Sequence, residues 1–188
     1  FSGGCDIDPA IYGQDNVASM TIPRRDEWCE AIFNSENNKK MVGICRGAQY
    51  LAAKSGATIY QDISLHIHEE NGGLFINSLH HQAIAPHTSL GKIIHTARCG
   101  YALTDKQEHE NVQTVESYLA DRFFGVQWHP EYMHFKSEAN QLWDETRAVR
   151  TLACTNDRRL ESLVRPSTIP ATSAPNSRST SAMPYSVS

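Results

Sequence analysis

The chain has 188 residues and a mass of 21.0 kDa, room for one domain with a sizeable core but not for two large ones. Its 17 basic and 21 acidic residues give a formal net charge of −4. No basic excess is therefore present to neutralise phosphates, which argues against nucleic acid or an anionic membrane as partner. No apolar run approaches the roughly 18 residues needed to span a bilayer. Cys5, Cys29, Cys45, Cys99 and Cys154 are odd in number and contain no CxxC pair. A disulfide framework or Cys-rich zinc site reads poorly, and a reducing, cytoplasmic setting is expected.

In chain order, Phe1-Ser2-Gly3-Gly4 reads as the end of a buried strand breaking into a glycine turn. A sheet needs neighbours on both sides of its centre, so further residues are expected upstream. Residues 26–34 (DEWCEAIFN) predict a helix with Trp28, Ala31 and Ile32 facing inward. Met41-Val42-Gly43-Ile44 predicts a buried strand, and 47–54 a helix closed by Ser55-Gly56. Segments 74–77, 92–97, 112–118 and 122–127 predict strands, and 135–152 a terminal helix. Strand–helix alternation followed by a run of strands indicates an α/β sheet with an antiparallel part added.

The globular part is expected to cover residues 1–155. The remainder, 156–188, is a tail in which 14 of the last 23 residues are Ser, Thr or Pro. It has too little apolar surface to offset its ordering entropy, and disorder is expected.

Three motifs carry chemistry. Gly43-Ile44-Cys45-Arg46-Gly47-Ala48-Gln49 is a G-x-C-x-G between a predicted strand and helix, the cysteine form of a nucleophile elbow. Cβ atoms at Gly43 and Gly47 would collide with neighbouring backbone, and the helix N-terminus behind Cys45 is expected to favour thiolate. Gly125-Val126-Gln127-Trp128-His129-Pro130-Glu131 holds a histidine biased towards extended chain by the following proline. There His129 and Glu131 share a side, and the carboxylate can fix the imidazole tautomer for proton transfer. Gly3-Gly4 at a strand end leaves backbone N–H groups free for an oxyanion.

These segments resemble the class I glutamine amidotransferases, and among them the branch containing γ-glutamyl-γ-aminobutyrate hydrolase. The likeness rests on GGCDIDPAIYG from Gly3, GICRGAQ from Gly43, NSLHHQ from Asn77 and GVQWHPE from Gly125, in that order. It implies a flavodoxin-like α/β domain lacking its N-terminal strand–helix–strand. Carried over by residue, it implies Cys45 as nucleophile, His129 as general base and acid, and Glu131 as its orienter. The amides of Gly4 and Arg46 would form the oxyanion hole. Gln49, Asn77, Ser78, His80, His81 and Gln82 would lie near the substrate.

The activity implied is hydrolysis of a γ-glutamyl amide to glutamate and an amine, through a thioester and with no cofactor. Two alternatives are a glutaminase subunit passing ammonia to a separate synthetase, and an inactive binding module on the same fold. Nine histidines raise a zinc reading, with His66 and His68 as two ligands on one strand face. Zinc needs three or four ligands, however, and adjacent His80 and His81 would point opposite ways, so no metal is expected. Trp128 and Trp143 are expected in the core.

Overall fold

The computed structural model describes residues 1–64 and 76–133, all within one unit that spans Phe1–Arg147. Helix α1 (Pro23–Ser35) begins at a proline, whose fixed φ and missing N–H suit a first helical turn. Strand β1 (Met41–Ile44) runs into α2 (Arg46–Lys54), which ends at Ser55 and a left-handed Gly56. Short strands β2 (Ile59–Tyr60), β3 (Asp62–Ile63) and β4 (Ala83–Ile84) follow. The long pair β5 (Lys92–Leu103) and β6 (Glu108–Leu119) leads to β7 (Phe123–Val126).

Among the described residues the seven strands form one mixed sheet in the order β1-β7-β6-β4-β2, with β5 pairing both β6 and β3. β1 and β7 are parallel, Met41 opposite Phe123 and Ile44 opposite Val126. The remaining pairings are antiparallel. On its other side β1 meets Phe1, whose N–H groups donate to Val42 O at 2.7 Å and whose carbonyl accepts from Ile44 N at 2.9 Å. This is the mixed α/β architecture expected of the flavodoxin-like class, with the antiparallel strands added after the elbow.

The alternation of side chains along β1 and β7 separates two cores. Met41 and Phe123 point towards α2, into a cluster with Tyr50, Leu51, Ile59, Ile84 and Tyr118. Val42 and Ile44 pack on the opposite face with Phe124, Val126 and Trp128. Trp128 is fully buried, as expected of a core aromatic, whereas Trp143 lies outside the described residues. Helix α2 is buried from Arg46 to Ala53, which small residues at 47, 48, 52 and 53 permit.

Two glycines of the elbow are fixed by close approach. A Cβ on Gly43 would stand 2.5 Å from the Gly47 carbonyl and the Ala48 nitrogen, and one on Gly47 would stand 2.1 Å from Phe1 O. Strand, helix and N-terminal segment therefore touch backbone to backbone, as the motif predicts. Gly125 has a similar reason. Tyr118 lies directly across the ladder from it and bonds Ala48 O at 2.8 Å through its hydroxyl.

Two expectations need correction. Helix α1 turns Asp26 and Cys29 inward, while Trp28 and Ile32 are 58 % and 51 % exposed and Ala31 is exposed as well. A polar interaction with the buried Arg46 side chain sets its rotation, and apolar periodicity does not report such a partner. Ile76 and Asn77 are not in a strand; Asn77 instead bonds the backbone of His129. The expected helix 135–152, the tail 156–188 and the His66/His68 pair lie outside the described residues. No helix among the described residues is long and apolar enough to cross a membrane.

Gly43→Ala is expected to destabilise the fold by about 1–3 kcal/mol, because the methyl would meet helix backbone rather than a flexible side chain it could displace. Urea unfolding measures it. An unchanged midpoint would mean that β1 and α2 are not packed this closely.

Candidate active site

The parallel register of β1 and β7 ends both strands at one sheet edge, where Cys45 follows Ile44 and Gln127 follows Val126. The Cys45 N–H donates to Val126 O at 2.8 Å, so the turn is still tied to β7 as the chain reverses into α2. The reversal forces Cys45 to φ 48°, ψ −112°, a strained conformation for a residue with a side chain. Strain of this kind at a strand-to-helix turn is what the elbow motif predicts.

Around the sulfur the structure assembles two backbone donors. The backbone amides of Arg46 and Gly4 lie near Cys45 Sγ and favour its anion. Gly4 has φ 146°, which favours glycine, and a Cβ there would run into the Arg25 guanidinium. Its neighbour Gly3 lies close to the His129 imidazole, with room for no Cβ: one would stand 2.5 Å from Cε1. One peptide unit thus lies near both the cysteine sulfur and the histidine ring.

The His129 Nδ1 lies 2.7 Å from Glu131 Oε1. The pair is adjacent as expected, although the chain from Pro130 to Tyr132 is a 3₁₀ turn rather than extended. Tyr132 stacks on the imidazole at 5.3 Å between ring centroids. The ring is therefore held by a carboxylate at one nitrogen, by glycine backbone and by an aromatic face.

The Cys45 thiol departs from expectation. Burial pushes it up to about 11 from an ordinary 9.0, and the charges of Glu131 and Asp6 push the same way. The two amides pull it down by less. Helix-terminus stabilisation of thiolate is outweighed here because Cys45 is 4 % exposed and a bare charge buried there loses its hydration.

A cavity of about 140 Å³ opens at this edge, lined among others by Gly4, Asp6, Cys45, Gln49, His80 and His81. Gln49 is buried and donates through Nε2 to Gln82 O at 2.9 Å. His80 Nδ1 donates to the same carbonyl at 2.7 Å, and its Nε2 lies 3.8 Å from the fully buried Glu116. His81 Nε2 stands 2.8 Å from Asp6 Oδ2 and its Nδ1 3.4 Å from Asp62. Ser78 is at 3.5 Å from His80 Nε2.

Asn77 and Gln82, expected near the substrate, are turned towards backbone instead. The side-chain amide of Asn77 donates to His129 O and accepts from His129 N, both at 2.8 Å. Gln82 makes the same kind of two-way contact with Ile7 N and O, both at 3.4 Å, and donates to Ser19 Oγ at 2.7 Å.

Several participants carry no motif signal. The Arg46 guanidinium is buried against Asp26 and lies 3.3 Å from Cys29 Sγ. Asp26 also accepts from Asp8 N at 3.2 Å, and Arg25 donates to Gly3 O. Helix α1 thereby grips the glycine turn at Gly3 and the segment after it at Asp8. Asp6 was visible only as a letter of GGCD; it is buried, accepts from Met20 N at 2.7 Å and faces the cavity.

Comparison with known proteins supports the same grouping. Residues 1–73 match the family model described as Peptidase C26. A putative glutamine amidotransferase-like protein YvdE homolog from Lactococcus lactis subsp. cremoris is 41 % identical over 69 residues, 35 % of this chain and 37 % of that protein. The putative glutamine amidotransferase-like protein YvdE of Lactococcus lactis subsp. lactis is 27 % identical over 167 residues, covering 70 % and 64 %. Putative glutamine amidotransferase Rv2859c from Mycobacterium tuberculosis is 33 % identical over 153 residues, covering 70 % and 49 %. The chain thus spans between 37 and 64 % of the length of these relatives.

A thiol held up to about 11 is almost wholly protonated at neutral pH. Alkylation of Cys45 by iodoacetamide, followed by peptide mass spectrometry, is expected to climb about tenfold per pH unit between pH 7 and 9. A plateau beginning near pH 7 would instead reveal a resting imidazolium–thiolate pair.

Proposed function

The chain belongs to the class I glutamine amidotransferase-like superfamily, and we propose that its cavity cleaves a γ-glutamyl amide, releasing glutamate and an amine through a thioester on Cys45. The observation that carries this reading is the peptide of Gly3 and Gly4. It lies against the His129 ring at Gly3 and lines one cavity with Cys45 at Gly4, whose amide favours the sulfur anion.

The steps follow from the chemistry of the groups assembled. His129, with Nδ1 committed to Glu131, offers Nε2 as proton acceptor. It takes the Cys45 proton as the sulfur attacks the γ-carbonyl carbon, and the carbonyl π electrons move to oxygen. The oxyanion forms beside the sulfur, where the amides of Gly4 and Arg46 already point. Collapse of the tetrahedral species breaks the C–N bond, and the imidazolium returns its proton to the departing amine. Water then attacks the thioester while His129 accepts its proton. Glutamate leaves, and the proton goes back to sulfur.

Because the resting thiol is protonated, proton transfer and attack are coupled to the presence of substrate. Glu131 stabilises the imidazolium during both steps. Gln49, His80 and His81 line the cavity together with Asp6. The carboxylate of Asp6 suits the ammonium of a glutamyl group, and His81 beside it links that side to Asp62. The printed names of the relatives favour a second reading, in which the amide is glutamine and the ammonia passes to a separate synthetase.

The purified chain is expected to release glutamate from at least one γ-glutamyl amine or from glutamine. Cys45→Ala is expected to abolish turnover while leaving the circular-dichroism spectrum unchanged. Turnover surviving in Cys45→Ala would sink the assignment. Glutamine hydrolysis that quickens only with an added synthetase would select the second reading.

A further inference from the structure

We infer that Asn77 is a positioning residue that holds the backbone of His129, and through it the imidazole, in register with Cys45. The inference rests on the role proposed above for His129.

Beyond Val126 the β7 ladder ends, although Gln127 N still reaches Glu116 O at 2.8 Å. His129 is nevertheless 9 % exposed and followed by Pro130, which has no N–H to offer a neighbour. The His129 C=O accepts from Tyr132 N at 3.1 Å, but its buried N–H at such a point needs a partner from elsewhere. His129 is extended, φ −103° and ψ 94°. The amide of Asn77 accepts from its N–H and donates to its C=O, 2.8 Å in each direction. A primary amide is the side chain that presents an acceptor and a donor side by side at this spacing. It extends the ladder by one residue using a side chain.

The same geometry separates Asn77 from a substrate contact. Its oxygen and nitrogen are both engaged with main chain 52 positions away. Among the described residues the cavity takes Leu79, His80 and His81 from this segment, but not Asn77. Downstream of the amide, the imidazole is located by Glu131 at 2.7 Å and by contact with Gly3. A backbone shift at His129 of about 1 Å would carry Nε2 away from the place that the proposed proton transfer requires, and displacements of that size cost on the order of a hundredfold in rate.

Two variants and two readouts test this. Asn77→Ala removes both bonds. Asn77→Asp has nearly the same shape and keeps the acceptor, but sets a carboxylate oxygen against His129 O; it remains informative should the alanine variant fail to fold. The first readout is the low-field NMR resonance of the His129 Nδ1 proton, assigned by its disappearance in His129→Gln. It is expected to be lost or exchange-broadened in both Asn77 variants. The second is steady-state glutamate release, where kcat is expected to fall by about ten- to a hundredfold with KM within about threefold of wild type.

Retention of the resonance at its wild-type shift in both variants overturns the inference. So does a raised KM with kcat unchanged, the signature of a lost substrate contact. Should the wild-type chain turn over no amide, the proposed function fails, and the resonance alone still decides the role of Asn77.

Discussion

The parallel pairing of β1 with β7 is the constraint on which the site depends. Four residues of β1 lie opposite four of β7, and the last pair, Ile44 and Val126, sets where each chain leaves the sheet. A slip of one residue would turn Cys45 and His129 to opposite faces, since side chains alternate along a strand. Slip is opposed by both cores at once. Phe123 belongs beneath α2, Phe124 and Val126 belong to the opposite cluster, and Gly125 must lie under the Tyr118 ring.

From that edge outward, the site is held by direct polar contacts between side chains and backbone. Arg46 grips Asp26, Asp26 holds Asp8, Arg25 reaches Gly3, and Gln82 brackets Ile7. A buried ion pair contributes little net stability, because desolvation offsets most of the attraction. What it supplies is direction. The glycine turn can carry no side chain to pack, so its place must be fixed by bonds to its backbone and to the residues just after it. Helix α1 supplies those bonds, which explains why a helix with two apolar residues facing solvent still docks in one orientation.

The elements most legible in the sequence are those in which one residue type is compulsory. Gly43 and Gly47 announce a backbone contact that no other residue fits, and the elbow followed. His129 and Glu131 were legible as a pair because their separation is local. By contrast, the rotation of α1 depends on Arg46, twenty positions after Asp26, and no periodicity within the helix encodes that partner. Asn77 and Gln82 read as site residues because they lie in a motif with His80 and His81. That motif mixes two tasks, with histidines lining the cavity and amides bracing backbone at either side of it. Sequence proximity to chemistry cannot separate them; hydrogen-bond geometry does.

The protonated resting thiol fits the same design. A sulfur buried enough to be reached by two amides is also a sulfur that has lost the water which would stabilise its anion. The helix terminus and the amides act on a charge that does not exist until a proton leaves, and the leaving proton needs an imidazole already in place. In the proposed reaction, nucleophile, donors and base therefore gain their value together, in the tetrahedral species rather than in the free chain. On that reading, rigid placement of each group substitutes for thiolate stored in advance. Asn77 and Asp26, which do not line the cavity, then serve it by holding the backbone of His129 and Asp8 in place.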